Sequence, residues 1–100
     1  MVRIDGPEAG GLEATRDVTI NNSLGLHARA AVRLVETAER FQSEIRMEKD
    51  GQGVDAKSVL SLLTLECPPG CRVRLRARGD DSRLALDALT ELIENKFGEE

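Results

Sequence analysis

Residues 72–78 read Arg-Val-Arg-Leu-Arg-Ala-Arg, an alternation in which every second side chain is apolar and each of the others carries a guanidinium. Only a β-strand sends successive side chains to opposite faces. Val73, Leu75 and Ala77 therefore share one side, and Arg72, Arg74, Arg76 and Arg78 the other. Such a strand belongs to a sheet with one buried and one wet face, antiparallel or mixed. In a chain of 100 residues the apolar face has to be closed by helices laid on that side alone.

The remaining patterns supply those parts. In residues 17–22, Val18 and Ile20 alternate with Thr19 and Asn21, a second half-buried strand. In residues 28–41, Ala31, Leu34, Val35, Ala38 and Phe41 fall on one helical face, with Arg33, Glu36 and Arg40 opposite. Residues 44–48 alternate again around Ile45 and Met47. Asp50-Gly51 is a hairpin signal that predicts a further short strand over 52–56. Residues 57–65 are helix-like, and the prolines of Cys67-Pro68-Pro69-Gly70 end that helix. Asp80-Asp81-Ser82 offers caps and acids for a last helix burying Ala85, Ala88, Leu89, Leu92 and Ile93. The order is βαββαβα: an α+β open-faced β-sandwich with four strands and three helices on one face. Residues 1–16, with three glycines, one proline and no periodicity, read as a flexible N-terminal extension in which Val2, Arg3 and Ile4 could add an edge strand. The folded domain is then 17–100.

Composition narrows the function classes. Fourteen basic residues stand against eighteen acidic, a net charge of −4, so the overall basic footprint of a nucleic-acid binder is missing. Two phenylalanines, with no tryptophan or tyrosine, give no stacking platform for single strands. The arginine row reads as a solvated sheet face that pairs across strands with Glu44 and Glu48. No apolar run approaches the ~18 residues of a membrane span, and the N-terminus lacks a secretory h-region. Two cysteines are too few for a disulfide scaffold and suit a reducing cytoplasm. One histidine excludes a multi-histidine centre. A metal site from His27, Cys67 and Cys71 lacks a fourth candidate ligand, and no metal or cofactor is expected.

That single histidine, His27, sits where the loop Leu24-Gly25-Leu26 turns into the first helix. The free N–H groups of Ala28, Arg29 and Ala30 then make an anion site beside it, with Arg29 able to fork onto phosphate oxygens. A helix start disfavours imidazolium, so a neutral, nucleophilic imidazole is expected near neutral pH. This suits a side chain that accepts and donates a phosphoryl group, a transfer that needs positioning and charge stabilisation above all. The competing reading is a solvated histidine that merely caps the helix.

Gly25-Leu26-His27-Ala28-Arg29, followed by a helix and Phe41, resembles the active-site segment of HPr, the phosphocarrier family of the bacterial phosphoenolpyruvate:sugar phosphotransferase system. The likeness continues through Lys57-Ser58-Val59-Leu60-Ser61-Leu62, Gly70 and Gly79-Asp80-Asp81, over residues 17–100, and the family's sheet is antiparallel with the same βαββαβα order. The resemblance implies that His27 is phosphorylated on Nδ1 by enzyme I and passes the group to an enzyme IIA-type acceptor. It also implies that Arg29 neutralises the phosphoryl oxygens, and that an HPr kinase/phosphorylase acts on Ser58. The family usually has proline after this arginine. Ala30 stands there instead, keeping an N–H and a helix-compatible φ, so activity is expected to survive.

Ser58 also reads as a plain N-cap. The helix after it is too apolar to hide every side chain. Leu62 and Leu65 are expected in the core, with Val59, Leu60 and Leu63 forming a partner-docking patch near His27. The sequence therefore predicts a monomeric, cytoplasmic, stoichiometric phosphoryl carrier, not a self-contained enzyme, with no nucleic-acid or membrane partner. The alternatives are an HPr-like regulatory module controlled at Ser58 or His27 without onward transport, and a small α+β ligand-binding domain that carries Gly-Leu-His-Ala-Arg by chance.

Overall fold

The computed structural model describes residues 12–99. In chain order the elements are β1 (Glu13–Ile20), α1 (Ala28–Ala38), β2 (Glu44–Lys49), β3 (Gln52–Asp55), α2 (Val59–Leu63), β4 (Cys71–Arg78), α3 (Ser82–Glu94) and a closing 3-10 turn, Lys96–Gly98. The sheet runs β1-β4-β2-β3 with every neighbouring pair antiparallel. The arginine-rich strand β4 lies between β1 and β2, so both of its edges are bonded. Its alternation is the cleanest in the chain because residues 74–78 have a fixed neighbour on either side, as with Leu75 between Arg16 and Met47, and residues 71–73 are still held by β1.

Val18, Ile20, Ile45, Met47, Val73, Leu75 and Ala77 face the helices and are buried, together with Ala31, Leu34 and Ala38 of α1 and Ala85, Leu89 and Ile93 of α3. The opposite face meets water. There Arg74 pairs with Asp17 at 2.8 Å, and Arg76 with Glu48 at 3.0 Å and Glu13 at 3.3 Å. These are cross-strand pairs of a solvated face, and Glu48 is among them as expected. Glu44 stands opposite Arg78 in register. Asp50 and Gly51 both have positive φ, 51° and 84°, which is the primed turn that a two-residue hairpin requires.

Several expected boundaries shift. β1 starts at Glu13, so 13–16 is sheet and not extension, paired with β4 through Glu13–Arg78 and Arg16–Leu75. The alternation is hidden there because Arg16 occupies an inward position. Its stem lies along the sheet edge, and its guanidinium reaches Asp87 at 2.8 Å and Thr90 at 3.4 Å on α3. The edge strand considered at Val2, Arg3 and Ile4 lies outside the described residues. α1 stops at Ala38, and Phe41 packs half-buried from the turn beyond it. α2 is a single short helix, because Asp55 Oδ1 takes the Lys57 N–H at 2.9 Å and leaves Ser58 as the cap. In α3 Leu86 is fully buried, while Ala88 and Leu92 are half-buried. Asp81 makes no side-chain cap bond to α3. Its carboxylate instead accepts the N–H groups of Gln42 and Ser43, at 2.8 and 3.0 Å, and the Ser43 hydroxyl at 2.5 Å.

Candidate functional site

The loop between β1 and α1 is shaped by Gly25, at φ +69°, and by the buried side chain of Leu26, whose N–H donates to the Cys67 carbonyl at 2.9 Å. The Gly25 carbonyl accepts the His27 N–H at 3.0 Å. His27 is then extended (φ −86°, ψ −179°) and forms the N-cap of α1. Its carbonyl accepts from Ala31 at 2.9 Å. The side chain caps too, since Nδ1 accepts the Arg29 N–H at 3.3 Å. Of the three amides expected to form an anion nest, that of Arg29 is thus already turned to the imidazole, and those of Ala28 and Ala30 face no acceptor among the described residues.

The other ring nitrogen is held from the far end of the chain. His27 Nε2 lies 2.5 Å from Glu99 Oε2. Glu99 Oε1 accepts from Asn22 Nδ2 at 2.9 Å, and the same amide nitrogen donates to the Gly25 carbonyl at 2.7 Å. Asn22 is fully buried, so this amide joins the loop, the chain end and the histidine into one network. The tautomer follows from the hydrogen bonds. Nδ1 accepts, so its lone pair is free of a proton, and the N–H of a neutral ring lies on Nε2 toward the carboxylate. Partial burial works to raise the Glu99 carboxyl, but the bonds from Asn22 and His27, and the charges of His27 and Arg33, outweigh it and hold the group below its usual range.

Glu99 reaches this place because the chain reverses after α3. Lys96, Phe97 and Gly98 all have positive φ. Phe97 is buried in the core, and its carbonyl accepts a bond from the Arg33 guanidinium on α1. His27, Arg29, Arg33, Leu24, Gly98 and Glu99 together line an open concavity of about 600 Å³. The Arg29 side chain makes no hydrogen bond or ion pair among the described residues, which leaves its guanidinium available to an anion.

His27 and Arg29 are brought together as the sequence predicts. Ser58 is the N-cap of α2, its Oγ accepting the Ser61 N–H at 3.2 Å. The expected apolar patch is smaller than anticipated: Leu60 is 78% exposed, while Val59 and Leu63 are half-buried against the core. Leu62 and Leu65 are in the core as expected. The apolar side chain beside His27 is Leu24, 68% exposed, which the sequence reading passed over as loop. Asn22 and Arg33 were missed as well, and the sequence leaves open whether Glu99 approaches the site. Asn22 ended a strand pattern, Arg33 lay on a polar helix face, and nothing local in the sequence links Glu99 to His27. Among the described residues no three His, Cys, Asp or Glu side chains converge in a way that could hold a metal.

A family model described as the PTS HPr component phosphorylation site matches residues 14–95. The chain belongs to the HPr family. It is 46% identical over 84 residues to the phosphocarrier protein HPr of Cupriavidus necator, covering 84% of this chain and 94% of that one. A phosphocarrier protein NPr from Shewanella violacea is 45% identical over 84 residues, covering 84% and 92%. A crystal structure of HPr from Thermoanaerobacter tengcongensis superposes with a TM-score of 0.84 at 46% identity, covering 87% of this chain and 98% of that chain. A solved HPr dimer from the same organism matches at a TM-score of 0.70 and 48% identity, covering 82% and 94%. The open-faced sandwich anticipated from the alternation is the fold of these HPr structures. HPr proteins are phosphocarriers of the phosphotransferase system and not catalytic enzymes. The match to the family model ends before Glu99. No described helix is long and apolar enough to cross a membrane.

Proposed function

We infer that this HPr-family chain is a stoichiometric phosphoryl carrier in which His27 Nδ1 takes the group from enzyme I, charged by phosphoenolpyruvate, and gives it to an enzyme IIA-type acceptor. The observation that carries this reading is the pairing of an unprotonated Nδ1 at a helix start with a carboxylate on Nε2. The Nδ1 lone pair gives up the Arg29 N–H and attacks phosphorus in line, and the bond from phosphorus to the donor breaks. The Nε2 proton stays on the Glu99 side, so the positive charge that forms on the ring faces a carboxylate. The phosphoryl oxygens then meet the amides of Ala28, Arg29 and Ala30, the positive end of the α1 dipole and the Arg29 guanidinium. Reversal of the same steps releases the group to the acceptor, and the acceptor's own site supplies whatever else its chemistry needs.

In this reading Ser58 is a regulatory site for an HPr kinase/phosphorylase, Val59, Leu60 and Leu63 belong to the docking face, and the carrier works as a cytoplasmic monomer. The test is incubation with phosphoenolpyruvate and enzyme I. The expected result is an acid-labile phosphoprotein in the parent and none in His27→Ala. Equal labelling of that variant rejects the assignment.

A second reading has a specific support in the likeness to a phosphocarrier named NPr: a regulatory branch in which His27 is phosphorylated and the output is docking. Onward transfer separates the two. A sugar-type carrier discharges to a permease-linked IIA domain, whereas the regulatory form stays charged in its presence and binds its partner instead.

A further inference from the structure

Away from the His27 concavity, the segment Cys67-Pro68-Pro69-Gly70-Cys71 joins two free thiols to a tight turn. Pro69 presets the first corner, and Gly70, at φ +87°, takes the position that a type II turn reserves for glycine. The Cys71 N–H closes the turn on the Pro68 carbonyl at 3.1 Å. A disulfide needs Cα atoms about 4.4–6.8 Å apart, and the turn closed by the Cys71 N–H folds the chain back between the two cysteines. The Cys71 thiol donates to the Arg72 carbonyl at 3.9 Å, and it lies close enough to Cys67 to raise that thiol electrostatically. Cys67 is buried, and Cys71, the first residue of β4, is half-exposed.

The backbone of the same segment supports the loop that enters the helix. The Cys67 carbonyl accepts the Leu26 N–H at 2.9 Å. Gly25 is packed so close that a Cβ there would lie 2.4 Å from that carbonyl oxygen. A displacement of Cys67 is therefore transmitted directly to Gly25 and Leu26, two residues and one residue before His27.

We propose that Cys67 and Cys71 form a reversible dithiol–disulfide site, oxidised by peroxide, whose state is sensed by the backbone of Gly25, Leu26 and His27. Where a disulfide does form in a reducing compartment, it is usually transient and catalytic or redox-sensing. Burial, and then the neighbouring Cys71, push the Cys67 thiol up to about 12, so Cys71 is the attacking thiol and Cys67 the resolving one. The Cys71 sulfur attacks one oxygen of hydrogen peroxide, the O–O bond breaks, and water leaves with the thiol proton, giving a sulfenic acid. The Cys67 sulfur then attacks the Cys71 sulfur, the S–O bond breaks, and hydroxide departs as water with the Cys67 proton. Two thiols lose two protons and two electrons, and one peroxide becomes two waters.

The site does not depend on what His27 carries, and its test uses the full chain without any phosphoryl donor. After treatment with hydrogen peroxide, native thiol titration should show both thiols lost together. Intact mass should fall by two hydrogens in a monomer, and dithiothreitol should restore both. The amide resonances of Gly25 and Leu26 should shift on oxidation, while those of the outer face of α3 stay. Cys71→Ser, altered at the more exposed position, should keep its Cys67 thiol and show no shift at Leu26. Thiols that stay free in the native state, oxidation only to higher acids or intermolecular dimers, or a disulfide that leaves Gly25 and Leu26 unmoved would each overturn the proposal.

Discussion

Glu99 Oε2 lies 2.5 Å from His27 Nε2 across a sequence separation of 72 residues, and its second oxygen is bonded by the buried amide of Asn22. A carboxylate accepts at both oxygens, whereas a glutamine offers one acceptor and one donor. In Glu99→Gln, either the imidazole N–H or the Asn22 N–H then faces an amide N–H, and one of the two bonds is lost. Loss of the carboxylate that orients a metal-bound histidine typically costs ten- to a hundredfold in activity. With the same orienting role here, phosphoryl acceptance by His27 should slow about tenfold with the fold intact. The same variant should lose part of its Nε2–H tautomer population in imidazole nitrogen NMR spectra. Unchanged rate and tautomer would show that Glu99 does not orient the ring.

Gly25 tests the loop from its other side. At φ +69° any L side chain is strained, and here a Cβ would also meet the Cys67 carbonyl oxygen at 2.4 Å. Gly51 has a similar conformation, φ +84°, with nothing within 4 Å of a Cβ. Gly51→Ala should therefore cost only the conformational term, about 1 kcal/mol, and Gly25→Ala should cost at least ~2 kcal/mol, because the backbone must also move. Denaturant midpoints of the two variants measure the difference. Gly25→Ala should in addition impair labelling of His27, which Gly51→Ala should not.

What could be read in advance was whatever leaves a local period. β4, the end of β1 and the Asp50-Gly51 turn were legible because each is written in neighbouring residues. The position of His27 at the start of α1 was legible too, since a glycine-bearing loop precedes an amphipathic run. The beginning of β1 was not, because Arg16 points inward and meets Asp87 on α3. Asp81 looked like a helix cap, yet its carboxylate serves the turn at Gln42 and Ser43. Half of the His27 site comes from chain closure. Phe97 anchors a turn of left-handed residues, and Glu99 arrives at the imidazole only once α1 and α3 are packed.

Ser58 can be separated into its two roles. As the N-cap it accepts the Ser61 N–H at 3.2 Å, so Ser58→Ala should lower stability by about 1 kcal/mol. Aspartate is as good a cap as serine, and Ser58→Asp should be within a few tenths of a kcal/mol of the parent. It adds a negative charge next to the exposed Leu60, however, and should slow labelling by enzyme I, whereas Ser58→Ala should label at the parental rate. If the aspartate variant labels as fast as the alanine one, charge at this cap does not govern docking.

The clearest pH effect on stability should come from Asp81. The Ser43 hydroxyl, followed by the Gln42 amide, holds its carboxyl below the usual range against the opposing effect of burial. The folded state therefore binds this proton less readily than the unfolded chain does, and stability due to Asp81 is complete above the ordinary carboxylate value of about 4. It is lost as pH falls through the lower, folded value. Asp81→Asn keeps the shape but leaves one acceptor oxygen for the Ser43 hydroxyl and the two amides, and it cannot ionise. The gap in unfolding free energy between parent and variant should be constant from neutral pH down to about 5 and shrink steadily below about 4. The other carboxylates held low, Asp17, Glu48 and Glu99, titrate in both proteins and cancel from the difference. Urea titrations at successive pH values measure that gap directly. A gap that stays constant down to pH values well below 4 would mean that the charge on Asp81 does not strengthen its bonds to Gln42 and Ser43.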